Sequence, residues 1–361
     1  MSVGRLRVLV VPNCIFFPPY MEDLRRGEAS GAIPRSWINR IDADIEFLDQ
    51  RLLTDPSKRR RNIYKHLPFW IVQVLEVYRV GRRYDVVFIW SVANVALILA
   101  LLLAVSFRQI TLVALLTRIS EPKKALLLKM FHKKISKIIL PPVVQREFAT
   151  GFLRIPAEKF VDLPWTTDIE FWSDPHPLAP RNMICAAGGE MRDYRTLVEA
   201  LRGLDIKCHI AGVLDTSRQD WWNVPSGSSS EEGIPTNVTF STMSPGDLRK
   251  LYAASRIVVV PLKSTNSDNG ITCINEAWSM GRPVIVSKVD GLRGTFVDGR
   301  EGLWVEPGDV ESLRTAITIL WNDPEKASQM GAAGRILVER NKDNRIFAEG
   351  IQKVLSEAAG R

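Results

Sequence analysis

Cysteine and histidine are scarce in this 361-residue chain, with four of each. Cys14, Cys185, Cys208 and Cys273 stand far apart in apolar surroundings, with no CxxC pair and no Cys/His cluster at metal-ligand spacing. The thiols therefore read as reduced and structural, and no metal site is expected. The amino terminus lacks a long apolar core followed by a small-residue cleavage site; MSVGRLRVLVVPN reads as a first strand, and export is not expected. Low-complexity tracts, short internal repeats, a DxD-type acidic pair in a suitable loop and any nucleic-acid reading motif are also missing. Nucleic acid is thus a poor partner for the basic charge.

One apolar run, Val86 to Val105, is long enough to cross a bilayer, interrupted only by Ser91 and Asn94. Its first part, from Tyr84, is rich in β-branched and aromatic residues, and its second part is rich in Ala and Leu. A buried strand leading into a buried helix accounts for that change of composition.

The length suits two cores of about 150 to 200 residues each. The net charge of +8 is uneven: residues 1–172 hold 26 Lys and Arg against 16 Asp and Glu, and the remainder holds 22 against 24. The surplus gathers at Arg59, Arg60 and Arg61, and in Glu121 to Lys137, where Lys123, Lys124, Lys133 and Lys134 interleave with Leu, Met and Phe. Two readings of that segment stand: an amphipathic helix on an anionic membrane, or a solvated helix face over a core.

Strand-like and helix-like segments alternate throughout, which implies parallel sheets covered by helices. Strands are expected at Arg5 to Asn13, Ala43 to Asp49, Tyr84 to Ser91, Ile110 to Leu116 and from Lys137, with a helix over Ile63 to Gly81. The Pro-rich passage Leu163 to Arg181 breaks the pattern as a domain connection would. The boundary is placed at 172, giving domains of 1–172 and 173–344, with a last helix at about 345–361 packing back on the first. In the second half, Ser244 is the expected N-cap of a helix that Pro245 opens.

The densest chemical signal runs from Ser267 to Leu313, where a glycine-containing loop feeds a helix whose free amides could receive phosphate oxygens. Glu276, one turn into that helix, is placed to accept two hydroxyl protons from a ribose. The linked segments Glu276-Ala277, Gly281-Arg282-Pro283-Val284-Ile285 and Gly299 to Asp309 resemble the signature of the retaining glycosyltransferases of family four. The wider similarity covers Met183 to about Arg340, and PWTTDIEFW resembles that family's interdomain linker.

The resemblance implies a GT-B architecture, α/β, with two Rossmann-like domains facing a central cleft. It gives Glu276 the ribose, and Asp268, eight residues earlier, the donor sugar, unless Asp268 only caps the following turn. Gly270, Ile271 and Thr272 would present amides to the sugar and phosphates. Arg192 matches a cation that neutralises the pyrophosphate; Gly189 stands where the family often has a second Arg, so that either Arg195 or Lys263 compensates or donor affinity is lower. Gly27 and Gly31 fall in a stretch that is either the glycine loop near phosphates and acceptor or a plain turn. The family's usual catalytic-domain His is absent, since His66, His132, His176 and His209 fall elsewhere.

The function so implied is retaining, metal-independent transfer of a sugar from a UDP or GDP type donor to a saccharide or lipid-linked hydroxyl. It needs no cofactor, and the expected location is the cytoplasm, peripheral on the inner face of the membrane. A non-catalytic, nucleotide-sugar-binding partner subunit and a nucleotide-sugar epimerase are the alternatives.

Overall fold

A computed structural model describes residues 5–12, 26–48, 57–174, 181–212 and 233–361. Cys14, His176 and the polar insert at 213–232 lie outside the described residues. The chain divides into two compact units: Met1–Gly27, Trp37–Leu163 and Phe347–Arg361 form one, and Glu28–Ser36 with Pro164–Ile346 form the other.

The first unit is built on six parallel strands, β1 (Leu6–Val11), β2 (Ala43–Phe47), β3 (Val86–Trp90), β4 (Leu112–Leu115), β5 (Lys137–Ile139) and β6 (Phe160–Val161). Their order is β2-β1-β3-β4-β5-β6. The composition of each strand follows its place. Val86, Val87, Phe88 and Ile89 are fully buried in the interior of the sheet, whereas β2 at the edge alternates intermediate and exposed residues. The twenty apolar residues from Val86 are β3 followed by helix α3 (Ala93–Ala104), as their composition implies. Among the described residues no helix is long and apolar enough to cross a membrane.

The helix expected over 63–81 is corrected to two, α1 (Lys58–Tyr64) and α2 (Phe69–Val80). Pro68 stands between them in an extended conformation, with φ −54° and ψ 140°. It cannot donate into a helix, and it drives the preceding residue out of the α region. The basic segment becomes α4 (Pro122–Phe131), whose one side buries Ala125 and Leu128 while Leu126 and Met130 are each 59% exposed. A short α5 (Val143–Glu147) follows.

The second unit repeats the plan with β7 (Met183–Ala187), β8 (Lys207–Ala211), β9 (Val238–Ser241), β10 (Ser255–Val260), β11 (Val284–Ser287) and β12 (Gly302–Val305). All pairings are parallel in the order β12-β11-β10-β7-β8-β9. Counted from β7, this is the doubly wound order 3-2-1-4-5-6, and the direction of winding reverses between β7 and β10. Ligands of such sheets bind outside the carboxyl ends of the strands at that reversal.

Helices α6 (Tyr194–Leu201), α7 (Pro245–Ala254) and α8 (Ile271–Ser279) lie between these strands, and α9 (Val310–Asn322), α10 (Pro324–Asn341) and α11 (Asn344–Ala358) follow the last of them. Their starts are written locally. Ser244 Oγ accepts the Asp247 amide at 3.2 Å, Asp309 accepts that of Ser312 at 3.0 Å and Asp323 that of Lys326 at 2.9 Å. The placement of α8 depends on a glycine in α10: a Cβ on Gly334 would fall 2.1 Å from Trp278 Cδ1. The fully buried Trp278 ring therefore lies directly on that backbone, and its indole N–H reaches the Glu301 carbonyl at 3.0 Å. Filling this contact would push out the carboxyl end of α8, whose amino end carries the site.

Candidate functional site

The loops that follow β7 and β10 meet at the reversal point of the second sheet and are stitched together through their main chains. Asp193 N–H donates to Pro261 O at 3.0 Å, Lys263 N–H donates to Met191 O at 2.9 Å, and Arg192 bridges Leu262. The first loop is conformationally demanding. Gly188 has φ +91°, and Met191, a residue with a side chain, is held at φ +58°. Such a residue in the left-handed region costs about 1–3 kcal/mol and persists only where surrounding contacts impose it.

Arg192 is 4% exposed. Its Nε donates to Ala187 O at 2.8 Å, Nη1 to Glu190 O at 2.9 Å and Nη2 to Cys273 Sγ at 3.2 Å. A Cβ on Gly188 would come within 2.5 Å of Nη2, and one on Gly270 within 3.7 Å of Nη1. Glycine at 188 thus makes room for the guanidinium, which rests against the first turn of α8.

That helix begins at Gly270, φ +90°, with no side chain bonded across its start. Ile271 N–H turns back to the main-chain carbonyl of Asp268 at 3.2 Å. Ile271 is buried and Thr272 exposed, while burial pushes the Cys273 thiol up against the opposing pull of Arg192. Unpaired amides and the positive end of the helix dipole favour an anion at such a start, and Arg192 adds a full charge beside it.

Glu276 is partly buried one turn further on, where Tyr252 Oη donates to its Oε2 at 3.1 Å. Tyr252 itself is fully buried in α7. Desolvation pushes the Glu276 carboxyl up to about 8, opposed by the Tyr252 hydrogen bond and the Arg192 charge. Asp268 receives the indole N–H of Trp165, a residue of the PWTTDIEFW segment.

The structure therefore brings together Arg192, Gly189, Gly270, Ile271, Thr272, Glu276 and Asp268 around the β7 and β10 loops. Lys263 and Arg195 flank the loop as exposed cations. Gly31 forms an exposed left-handed turn with open space around it, and Gly27 falls in the first unit. Tyr252, Trp165 and Cys273 are contributors that the sequence did not single out. A cavity of about 290 Å³ lined in part by Lys288, Arg293 and Trp304 follows β11 and β12. Gly291, next to the lining residue Asp290, abuts the Ser267 main chain so closely that a Cβ would fall 1.9 Å from Ser267 O. No group of three or more His, Cys, Asp or Glu residues suited to a metal occurs among the described residues.

Residues 185–337, which include these β7, β10 and α8 segments, match the family model described as glycosyl transferases group 1. A GDP-mannose-dependent alpha-(1-6)-phosphatidylinositol monomannoside mannosyltransferase of Mycolicibacterium smegmatis is 29% identical over 112 residues, 30% of this chain and 29% of that protein. A D-inositol 3-phosphate glycosyltransferase of Corynebacterium kroppenstedtii is 34% identical over 87 residues, 24% of this chain and 19% of that protein. These alignments span less than a third of either relative. Among solved structures, a sucrose-phosphate synthase from Thermosynechococcus elongatus superposes with a TM-score of 0.72 at 18% identity, covering 97% of this chain and 98% of that one. The Anabaena protein HepE, solved with UDP-glucose, superposes at 0.69 and 16% identity, covering 97% and 100%. Both likenesses show the fold, which is GT-B with two Rossmann-like domains.

Proposed function

We propose, on the premise that the second unit carries a group 1 glycosyl transferase domain, that this chain transfers a sugar from a nucleotide-sugar donor to an acceptor hydroxyl with retention at the anomeric carbon. The observation that carries the reading is the meeting of the buried Arg192 guanidinium with the open amino end of α8, one turn before a carboxyl held by a buried tyrosine. A diphosphate placed there is neutralised by the dipole end and Arg192, which stabilises the charge that grows as it departs. Glu276 takes the ribose hydroxyls, and Asp268 takes the donor sugar.

In the transfer, the acceptor oxygen bonds to the anomeric carbon on the face the nucleotide leaves. The carbon–oxygen bond to the diphosphate breaks, and the acceptor proton passes to the departing phosphate oxygen. That path requires no catalytic histidine and no metal. The names of the two bacterial relatives point to GDP-mannose as the first donor to try and to inositol-containing, phosphate-bearing or lipid-linked molecules as the first acceptors. UDP-sugars are the second donor class.

A peripheral site of work on the inner membrane face fits this acceptor class. The exposed side of α4 carries Lys123, Leu126, Lys129 and Met130, followed by Lys133 and Lys134, so cations and apolar groups share one surface. The test is calorimetric titration with a panel of nucleotide sugars, followed by mass analysis of products with saccharide and lipid-linked acceptors. Donor binding with a glycosylated product carrying the donor's anomeric configuration is the expected result. Binding without any product would leave a nucleotide-sugar-binding subunit instead, and an inverted product would end the retaining assignment.

A further inference from the structure

Trp165 directly follows Pro164, where the chain enters the second unit. Its main chain is pinned. The Asn275 side-chain amide, fully buried in α8 next to Glu276, donates to the Trp165 carbonyl at 2.9 Å. Just beyond, Thr166 Oγ1 donates to Asn344 Oδ1 at 2.9 Å, and Thr167 N–H donates to Lys342 O at the same distance. Asp168, 4% exposed, accepts Arg35 through Nε at 2.9 Å and Nη2 at 2.6 Å. The indole packs on the apolar core of the unit, and its N–H meets Asp268 Oδ2.

An indole nitrogen can only donate, so the Asp268 oxygen is the acceptor and the bond directs the carboxylate. A donor anchored on both sides gives up little further freedom in holding its partner, which is the condition for a preorganised site. Asp268 lies on the loop that turns into α8, where its main-chain carbonyl accepts the Ile271 amide.

We infer that Trp165 is a positioning residue for the donor sugar, its indole holding the Asp268 carboxylate in the orientation that meets the sugar hydroxyls. This rests on the reading of Asp268 as the donor-sugar carboxylate. It also makes the connecting segment 164–168 part of the donor site, so that sugar recognition depends on how this segment is held.

The distinguishing quantity is the ratio of Kd for a nucleoside diphosphate to Kd for its sugar conjugate, measured calorimetrically with GDP and GDP-mannose and with UDP and UDP-glucose. Trp165→Phe keeps the ring and removes the donor. It is expected to lower the ratio about tenfold and to leave the diphosphate Kd within about twofold, the size of one lost charge-assisted hydrogen bond. Asp268→Ala should do the same, and the double variant should be no worse than Asp268→Ala alone. A ratio that falls in Asp268→Ala but not in Trp165→Phe overturns the role of Trp165. A ratio unchanged in Asp268→Ala removes Asp268 from the sugar, and the inference with it. Should Trp165→Phe fail to fold, the indole nitrogen–proton resonance of Trp165 in the wild-type chain decides. It should move on binding the nucleotide sugar but not the bare diphosphate, and also in Asp268→Asn; a resonance that stays in place in both cases overturns the proposal.

Discussion

Two stretches of one linked signature, Ser267 to Glu276 and Gly281 to Asp309, do different work in this molecule. The first supplies the open helix start, Asp268 and Glu276. In the second, Arg282 is 1% exposed and donates from Nε to Tyr252 O at 2.8 Å and from Nη2 to Ala253 O at 3.0 Å, with Asp174 as its ion-pair partner. Glu301, 2% exposed, takes the Val297 amide at 3.0 Å, and Asp309 caps α9. Both stretches lie inside the segment that matches the family model, but the side chains of the second are engaged in folding. A motif is thus specific for two reasons at once, and only one of them is chemistry.

The largest expected effect separates the two. Arg192→Ala should lower turnover about 10²–10³-fold, the usual scale for removing a preorganised group that meets transition-state charge, while binding of the bare nucleoside changes little. Steady-state rates and nucleoside titrations compared on the same protein decide it. Turnover that collapses with a chelator and returns with magnesium would show that a metal performs this neutralisation.

Arg282→Ala should act on folding. Loss of a buried charged donor with its two carbonyl partners is expected to cost about 2–4 kcal/mol, read from the urea midpoint at constant m-value. An unchanged midpoint would break the contrast between the two stretches.

A pH series sharpens it further. Because the Glu276 pKa is raised to about 8 by burial, the carboxyl is mostly protonated at pH 7 and must release its proton to accept two ribose hydroxyls. Donor affinity should therefore rise about fivefold from pH 7 to pH 8, and Glu276→Gln should flatten that rise. For stability the sign is opposite. The unfolded chain ionises this group first, so its contribution to stability falls as pH climbs from the ordinary glutamate range towards 8, and Glu276→Gln should remove that fall. Proton release is measured by titration in buffers of different ionisation enthalpy; a release of zero at pH 7 contradicts the shift.

The smallest effect concerns the first unit. Vesicles of anionic lipid should sediment the protein at low salt and release it at high salt, since the attraction decays over a Debye length of about 8 Å at physiological salt. Charge reversal at Lys123, Lys133 and Lys134 should weaken sedimentation. Retention of the wild-type chain at high salt would instead require burial of apolar side chains such as Leu126 and Met130.

Much of this was legible in the sequence because parallel strands buried on both faces read as apolar runs, and because Ser244-Pro245 and Asp309 announce helix starts. The break at Pro68 was hidden by apolar residues on both sides of it. The two-residue edge strand Phe160–Val161 is too short to carry a pattern. Motif positions point to Glu276 and Arg192 as site candidates. They do not point to Trp165, whose partner Asp268 lies 103 residues away, or to Tyr252, 24 residues from Glu276. Side chains that position others across loops leave no local signal.

Calorimetric titration of the wild-type chain and Glu276→Ala with GDP-mannose and UDP-glucose tests the donor site most directly. One of these donors should bind the wild-type chain and lose about 2–4 kcal/mol of affinity in the variant, through the loss of paired hydrogen bonds to a charged group. Equal affinity in the two proteins would remove Glu276 from the site and contradict the account.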